Sequence, residues 1–380
     1  MLTIHQPEIT RHGDKSHLSA QIDIDGKVDT LWFEVDSEYE KYLCYERSDS
    51  FLAAALPYAM RNKHDITCVA PVTEELAYNL NYHFIPTLAK HGGGWDNLHH
   101  VKIISDFVDE EIENCGAVGT GMSCGVDSFH AVANHYYFKS PKDAKPKLTH
   151  LCINDAGNFD ITGYRKFGVL KVKEAVYERS KKIANDVGLP FVKTDSNVHV
   201  FFGKMRYSFI YNLIFFVFAM KKLWKTYFIA SGYDYSLFTV KGELGQDSSS
   251  YDLLTMTCFS MRNLRLFSEG ANLNRVEKTR VVADFPLARK YLHVCVAESH
   301  NCGVCGKCCR TLVTLDALDK LELFKNVFPV EFYMTRQNNY FKWLAARVLE
   351  NNPFAEDIYS LMQSGKYAEV IKQIKDDLEQ

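Results

Sequence analysis

Apolar and polar positions alternate over Ala20-Gln21-Ile22-Asp23-Ile24-Asp25 and again over Thr30-Leu31-Trp32-Phe33-Glu34-Val35, with Gly26 between the runs. Period two with a glycine break predicts a β-hairpin, because successive strand side chains face opposite sides of a sheet. Helices are expected at about 50–62 and 73–90, capped by Asp49 or Ser50 and by Thr73, with Glu74 and Glu75 in the second helix's first turn and a short strand over 65–70 between them. His91-Gly92-Gly93-Gly94 reads as a flexible joint.

From about residue 114 the pattern changes to strands and helices in alternation, the signature of a parallel sheet covered by helices. Strands are expected at 117–120, 147–153, 190–195 and 226–230, with helices at 126–138, 171–187 and 206–222. In a doubly wound sheet ligands gather beyond the carboxyl ends of the strands. Asp155, Asp195, Ser231 and Gly232 follow such strands and are therefore expected to converge on the turn at 123–128, while the strand at 147–153 is expected to end in Asn154-Asp155-Ala156-Gly157. The apolar run 209–220 lies between Arg206 and Lys221-Lys222 and is shorter than the roughly 20 residues that cross a bilayer, so it predicts a buried helix. Leu312, Leu315, Leu318 and Leu321 or Leu323 fall at helical spacing and begin a helical cap that runs to a charged end, Lys375-Asp376-Asp377-Leu378-Glu379-Gln380.

With 380 residues, 47% of them hydrophobic and 13% aromatic, the chain can fill more than one core. The expected division is an α+β domain over 1–113, a nucleotide-binding domain over 114–294, a cysteine knuckle over 295–312 and a helical segment over 313–380. A formal net charge of −3 gives no electrostatic case for nucleic acid. A small-molecule acid or a protein or peptide acceptor is the expected partner, with no membrane, and a homo-oligomer is compatible with this composition. Eleven cysteines without a secretory signal at Met1-Leu2-Thr3-Ile4-His5 predict a reducing compartment, the cytoplasm, where clustered thiols bind metal.

Two motifs carry chemistry. Gly119-Thr120-Gly121-Met122-Ser123-Cys124-Gly125-Val126-Asp127-Ser128 sets a turn of small residues between a strand and a helix, where backbone N–H groups can approach phosphate oxygens. It is not a Walker A loop, since the Gly-Lys-[Ser/Thr] ending is absent. Cys295, Cys302, Cys305 and Cys308 have the spacing of a closed tetrahedral zinc site; the plain alternative is a set of buried, reduced thiols. Cys309 is left over as a bystander, and Arg310 follows it. Three cations in Asn274-Arg275-Val276-Glu277-Lys278-Thr279-Arg280 read as a solvated helix face, with transition-state stabilisation as the alternative.

Ser123-Cys124-Gly125-Val126-Asp127-Ser128 resembles the Ser-Gly-Gly-x-Asp-Ser pyrophosphate loop of the N-type ATP pyrophosphatases, with Cys124 at a glycine position. Together with the knuckle, the chain is similar over roughly 114–315 to the 7-cyano-7-deazaguanine synthase branch of that family. It departs from the branch at Cys124, at Arg310, which sits one residue closer to the last cysteine, and in the roughly 110 residues before the loop. The resemblance implies an adenine nucleotide alpha hydrolase-like α/β core with ATP, Mg²⁺ and Zn²⁺. It also implies phosphates held by Ser123, Ser128 and the backbone of Cys124, Gly125 and Val126, Mg²⁺ at Asp127, and nucleotide contacts at Ser231 and Gly232. Asp127, Ser128 and Arg310 are the implied catalytic residues. The implied reaction is cleavage of ATP to AMP and pyrophosphate, activating a carboxylate or amide for a nitrogen nucleophile, in deazaguanine synthesis or conjugation or in amidation of a sugar acid. A tRNA-modifying sulfur-transfer enzyme and a noncatalytic nucleotide-binding partner are the alternatives. Cys124 as a nucleophile competes with Cys124 as a small residue standing in for glycine.

Overall fold

The computed structural model describes residues 1–91, 98–155, 169–202, 205–241 and 247–379. The Gly92-Gly93-Gly94 joint, the Ala156-Gly157 strand end and Gln380 lie outside the described residues. The strands are β1 (Leu2–Ile4), β2 (Glu8–His12), β3 (Lys15–Ile24), β4 (Lys27–Asp36), β5 (Ile66–Cys68), β6 (Val72–Thr73), β7 (Ile103–Ile104), β8 (Phe107–Val108), β9 (Ala117–Gly121), β10 (His150–Asp155), β11 (Phe191–Ser196), β12 (Trp224–Ala230) and β13 (Arg265–Glu269). One sheet takes the order β13-β12-β9-β10-β11-β4-β3-β1-β5-β7, with β2 on β3, while β6 and β8 pair apart. The chain is an α/β protein with a mostly parallel central sheet.

The hairpin read from the alternating pattern is β3–β4, in which Ile24 faces Lys27 across a two-residue turn. Asp25 and Gly26 there have φ of 53° and 87°. Positive φ at both positions is what a type I′ turn requires, and its twist matches that of the strands it joins. The helix expected near 50 spans Asp49–Asn62, but its N-cap is Ser48. Asp49 does not cap it, because its carboxylate accepts from the Thr73 amide and hydroxyl and from the Lys221 ammonium. Thr73 precedes the Glu74–Asn79 helix without a side-chain capping bond, its hydroxyl being turned to Asp49.

β9 is flanked by β10 on one side and β12 on the other, with Thr120 level with Leu151 and with Phe228. The chain thus builds outward from β9 in one direction and then in the other, so the strand order reverses between β9 and β12, the place where such sheets take ligands beyond the carboxyl ends of their strands. β13 extends the parallel set beyond β12; no strand was expected there, since Arg265-Leu266-Phe267-Ser268-Glu269 lacks a long apolar run.

Residues on either side of position 113 share this sheet through antiparallel β4 and β11, with Val35 opposite Thr194. Packing divides the molecule by sheet face. One core joins Phe33 and Phe51 of the first region to Phe215 and Phe216 of the Met205–Ala219 helix. The other joins Cys124 and Phe129 to Val276, Leu312, Phe341 and Ile358. Alternation along single strands feeds both, with Ala117 and Tyr227 in the first core and Val118 and Phe228 in the second. No helix among the described residues is long and apolar enough to cross a membrane.

Candidate functional site

The turn after β9 leads into a helix, Val126–Val132, whose N-cap is Gly125. The Met122 amide donates to the Cys152 carbonyl at 2.7 Å, carrying the strand pairing to the start of the turn. Cys124 adopts φ of 65°, a left-handed conformation that an L side chain enters at a cost of roughly 1–2 kcal/mol. A glycine would enter it freely. The thiol points away from the turn into the core, 3.4 Å from the Ser180 hydroxyl and fully buried. Burial pushes its pKa up to about 11, so it is no thiolate at neutral pH. Ser123 is exposed and donates to the Ser128 hydroxyl at 3.3 Å; Ser128 is buried and donates to the Gly125 carbonyl at 3.0 Å.

Asp127 looks out of this turn, its side chain 26% exposed, into a crowd of cations. Arg275 Nη1 lies 2.9 Å and Lys278 Nζ 3.6 Å from its Oδ1. Burial opposes ionisation of Asp127, but the charges of Arg275, Lys278 and Arg310 outweigh it and hold the carboxyl below the usual range. The cations carry the opposite mark. Burial and then the charge of Arg275 push Arg310 down to about 10, and burial lowers Lys278, with Arg275 adding to the effect. Lys307 adds a fourth cation that feels Asp127, Arg310 and Arg275, and each of the two buried cations nearest to Asp127 has a second tether. Lys278 Nζ donates to the Ser231 carbonyl at 2.8 Å and Arg275 Nη2 to the Gly232 carbonyl at 3.3 Å, while Arg275 Nε has no hydrogen-bond partner among the described residues.

Arg275 and Lys278 sit on the Arg275–Ala283 helix, started by a capping box in which Asn274 and Glu277 exchange side chain-to-backbone bonds. The expectation of a solvated face fails for these two. Three residues apart, they share the inward face and are 7% and 1% exposed, whereas Arg280 is exposed as expected. Behind Lys278 the buried Asp252 carboxylate accepts from the hydroxyls of Ser231 and Ser268 at 2.7 and 2.8 Å. Gly270 is held at φ of 78°, and a Cβ there would stand 2.9 Å from His130 Nδ1 and 3.2 Å from Lys278 Cε. Only glycine lets the chain after β13 come this close.

Phe354, in the first turn of the Pro353–Gln363 helix, lies beneath both guanidinium groups, 4.6 Å from Arg310 and 5.4 Å from Arg275. Its ring also stacks on Tyr233, with centroids 5.6 Å apart and planes at 20°. One turn further, Asp357 accepts from Asn274 Nδ2 at 3.3 Å; burial and then the charge of Asp234 push its pKa up to about 6. Sequence reasoning missed this participation of the C-terminal segment.

The sulfurs of Cys295, Cys302, Cys305 and Cys308 all lie within 4.8 Å of one another. The pairs Cys302–Cys308 and Cys295–Cys305 are 4.0 and 3.9 Å apart, close to the edge of about 3.8 Å expected for a tetrahedron of thiolates around zinc. The Cys305 amide donates to the Cys302 sulfur at 3.3 Å, a bond that favours the thiolate. This four-cysteine cluster could bind zinc. Cys309 is turned away, its thiol donating to the Val304 carbonyl at 3.4 Å. The Gly306–Ala317 helix begins inside the cluster and carries Arg310 one turn on, so the knuckle sets where that cation points.

Of the residues expected to converge, Ser231 and Gly232 join the loop through Lys278 and Arg275. The Ser231 hydroxyl is itself taken by Asp252. Asp155 and Asp195 instead share Lys173, which is 3.2 Å from Asp195 and pairs also with Asp155. Comparison with protein-family models, with curated proteins and with solved structures finds no match to this chain.

Proposed function

We propose that the chain is an ATP-dependent adenylating enzyme of the pyrophosphate-loop class, with an adenine nucleotide alpha hydrolase-like core. The carrying observation is the surplus of positive charge around Asp127 at the carboxyl ends of β9 and β12. A polyanion there would be stabilised by Arg275, Lys278 and Arg310, of which Lys278 and Arg310 have pKa values lowered by burial and by the charge of Arg275. In this reading Ser123, Ser128 and the backbone of Cys124, Gly125 and Val126 hold phosphate oxygens, and Ser231 and Gly232 border the nucleoside.

Mg²⁺ fits Asp127, an ionised and partly exposed carboxylate beside the loop, and would supply charge neutralisation of the phosphates. Arg275 and Lys278 would pass from the carboxylate to phosphate oxygens as the nucleotide enters. An oxygen of the substrate acid attacks the α-phosphorus, the bond to the α,β-bridging oxygen breaks and pyrophosphate departs with the negative charge that Arg310 and Arg275 offset. A nitrogen nucleophile then displaces AMP from the activated acyl group, losing its proton to solvent. Cys124, buried and protonated, supports neither a covalent route nor the sulfur-transfer alternative through this thiol.

The test measures nucleotide products from ATP and Mg²⁺ with a panel of carboxylic acids, 7-carboxy-7-deazaguanine among them, for the native chain and Asp127→Ala. AMP and pyrophosphate that depend on both an acid and Asp127 are expected. ADP and phosphate, or ATP binding without turnover on any acid, would overturn it. Zinc is proposed for the four-cysteine cluster as a structural ion. Metal analysis should find about one zinc per chain, and four freely titratable thiols without metal would remove it.

A further inference from the structure

We propose that the C-terminal segment completes this site, with Phe354 acting as a positioning residue that holds the guanidinium groups of Arg275 and Arg310 toward the loop at 123–128. The inference rests on the anion-binding reading above. Three segments remote in sequence meet on one ring: Arg275 opens one helix, Arg310 leaves the cysteine knuckle and Tyr233 follows β12. Two like charges brought to one place repel, and a neighbouring carboxylate offsets only one of them. The negative face of an aromatic ring attracts both without neutralising either, and it leaves the N–H edges free to donate. Arg275 shows this division, with its Cζ 5.4 Å from the ring centroid, Nη1 toward Asp127, Nη2 to the Gly232 carbonyl and Nε without a partner among the described residues.

The ring is itself held from two sides. Asn352 caps its helix, accepting from the Ala355 amide at 3.2 Å. Asp357, three residues beyond the ring, accepts from Asn274, the cap of the helix that carries Arg275 and Lys278. One turn of the Pro353–Gln363 helix therefore grips both the guanidinium pair and the start of the helix that supplies half of it. Phe354 is partly exposed, so replacing it need not collapse a core.

The experiment is calorimetric titration of the full chain with magnesium pyrophosphate, comparing native protein with Phe354→Leu, Phe354→Trp, Arg310→Gln and the Arg310→Gln/Phe354→Leu double variant. Phe354→Leu should weaken binding about tenfold, the scale of a desolvated cation–π contact. Phe354→Trp, which keeps the aromatic face, should stay within about threefold of native. In the Arg310→Gln background the leucine substitution should cost only about threefold, because part of what the ring acts through is already gone. Native affinity in Phe354→Leu, or an equal tenfold loss in both backgrounds, would overturn the inference while leaving the nucleotide reading intact. A native chain that binds neither pyrophosphate nor ATP would remove both together.

Discussion

At Asp49 and at Asp127 a carboxylate meets cations inside the protein, and the two surroundings differ in how the charge is balanced. Asp49 and Lys221 are each 2% exposed, one to one, at 2.9 Å. Thr73 closes that cluster by donating to Asp49 and accepting from Lys221 at 2.9 Å. Its chain segments come from opposite halves of the sequence and lock the Asp49–Asn62 helix onto the turn after the Met205–Ala219 helix. Asp127 faces Arg275 and Lys278 directly and Arg310 behind them, lies partly open to solvent and follows β9, where the strand order reverses. A balanced pair with every bond made is a fastening. On the function proposed above, a cluster with cations to spare is a place for an anion.

The sharpest way to break this contrast is Lys221→Met. Removing one partner leaves Asp49 buried and unpaired, and the expected loss is about 3–5 kcal/mol in urea unfolding, with pyrophosphate affinity of the folded fraction unchanged. A loss below about 1 kcal/mol would deny the Asp49 cluster its structural role. Asp127→Asn should cost less, about 2 kcal/mol, because Lys278 and Arg275 keep the Ser231 and Gly232 carbonyls and the amide oxygen can still accept from them. That loss should also be recoverable. Without Mg²⁺, pyrophosphate should raise the melting midpoint of Asp127→Asn by more than that of the native chain, since no carboxylate competes for the cations. Equal shifts in both proteins would show that Arg275 and Lys278 are not what the anion meets.

The pH dependence of Asp357 sharpens the same point at smaller scale. Its pKa is raised to about 6, against about 4 in an unfolded chain, first by burial and then by Asp234. The folded state therefore holds a proton that the unfolded state releases between these values. The contribution is fully present below about pH 4 and is lost as pH rises through 6. Two units correspond to about 3 kcal/mol, which solvent at this partly exposed group reduces to about 1–2. Native stability minus that of Asp357→Asn, followed from pH 4 to 7, should fall by this amount; a flat difference would show that burial and Asp234 do not hold the proton on Asp357.

How much of this was legible depends on where the partners lie in the chain. The four cysteines fall within residues 295–308, so their spacing alone implied the cluster the structure shows. The 123–128 turn and the β3–β4 hairpin likewise follow from local pattern, whereas the strand order around β9 does not. Arg275 and Lys278 were read as solvated because a helix face declares its burial only through what packs on it, and Asp127 stands about 150 residues earlier. Phe354 gave no signal, since an aromatic at a helix start is ordinary and its role lies in two cations on other elements. The sharing of cores across position 113 was equally out of reach, because it rests on β4 pairing with β11.

Cys124 separates the turn's shape from its charge, and so gives the finest test of the comparison. If the cations around Asp127 and the backbone of the turn make the site, the thiol is a passenger whose only demand is a left-handed backbone, φ 65°. Cys124→Gly would relieve roughly 1–2 kcal/mol of that strain and lose the packing of a small buried side chain, worth a similar amount. The expected net change is within about 1 kcal/mol in either direction, with turnover retained, as measured by urea unfolding and AMP release on the same preparation. Loss of turnover in a stable Cys124→Gly protein would return the thiol to the chemistry despite its burial, and the surplus of cations would then have to be explained as serving a covalent intermediate rather than a bound polyphosphate.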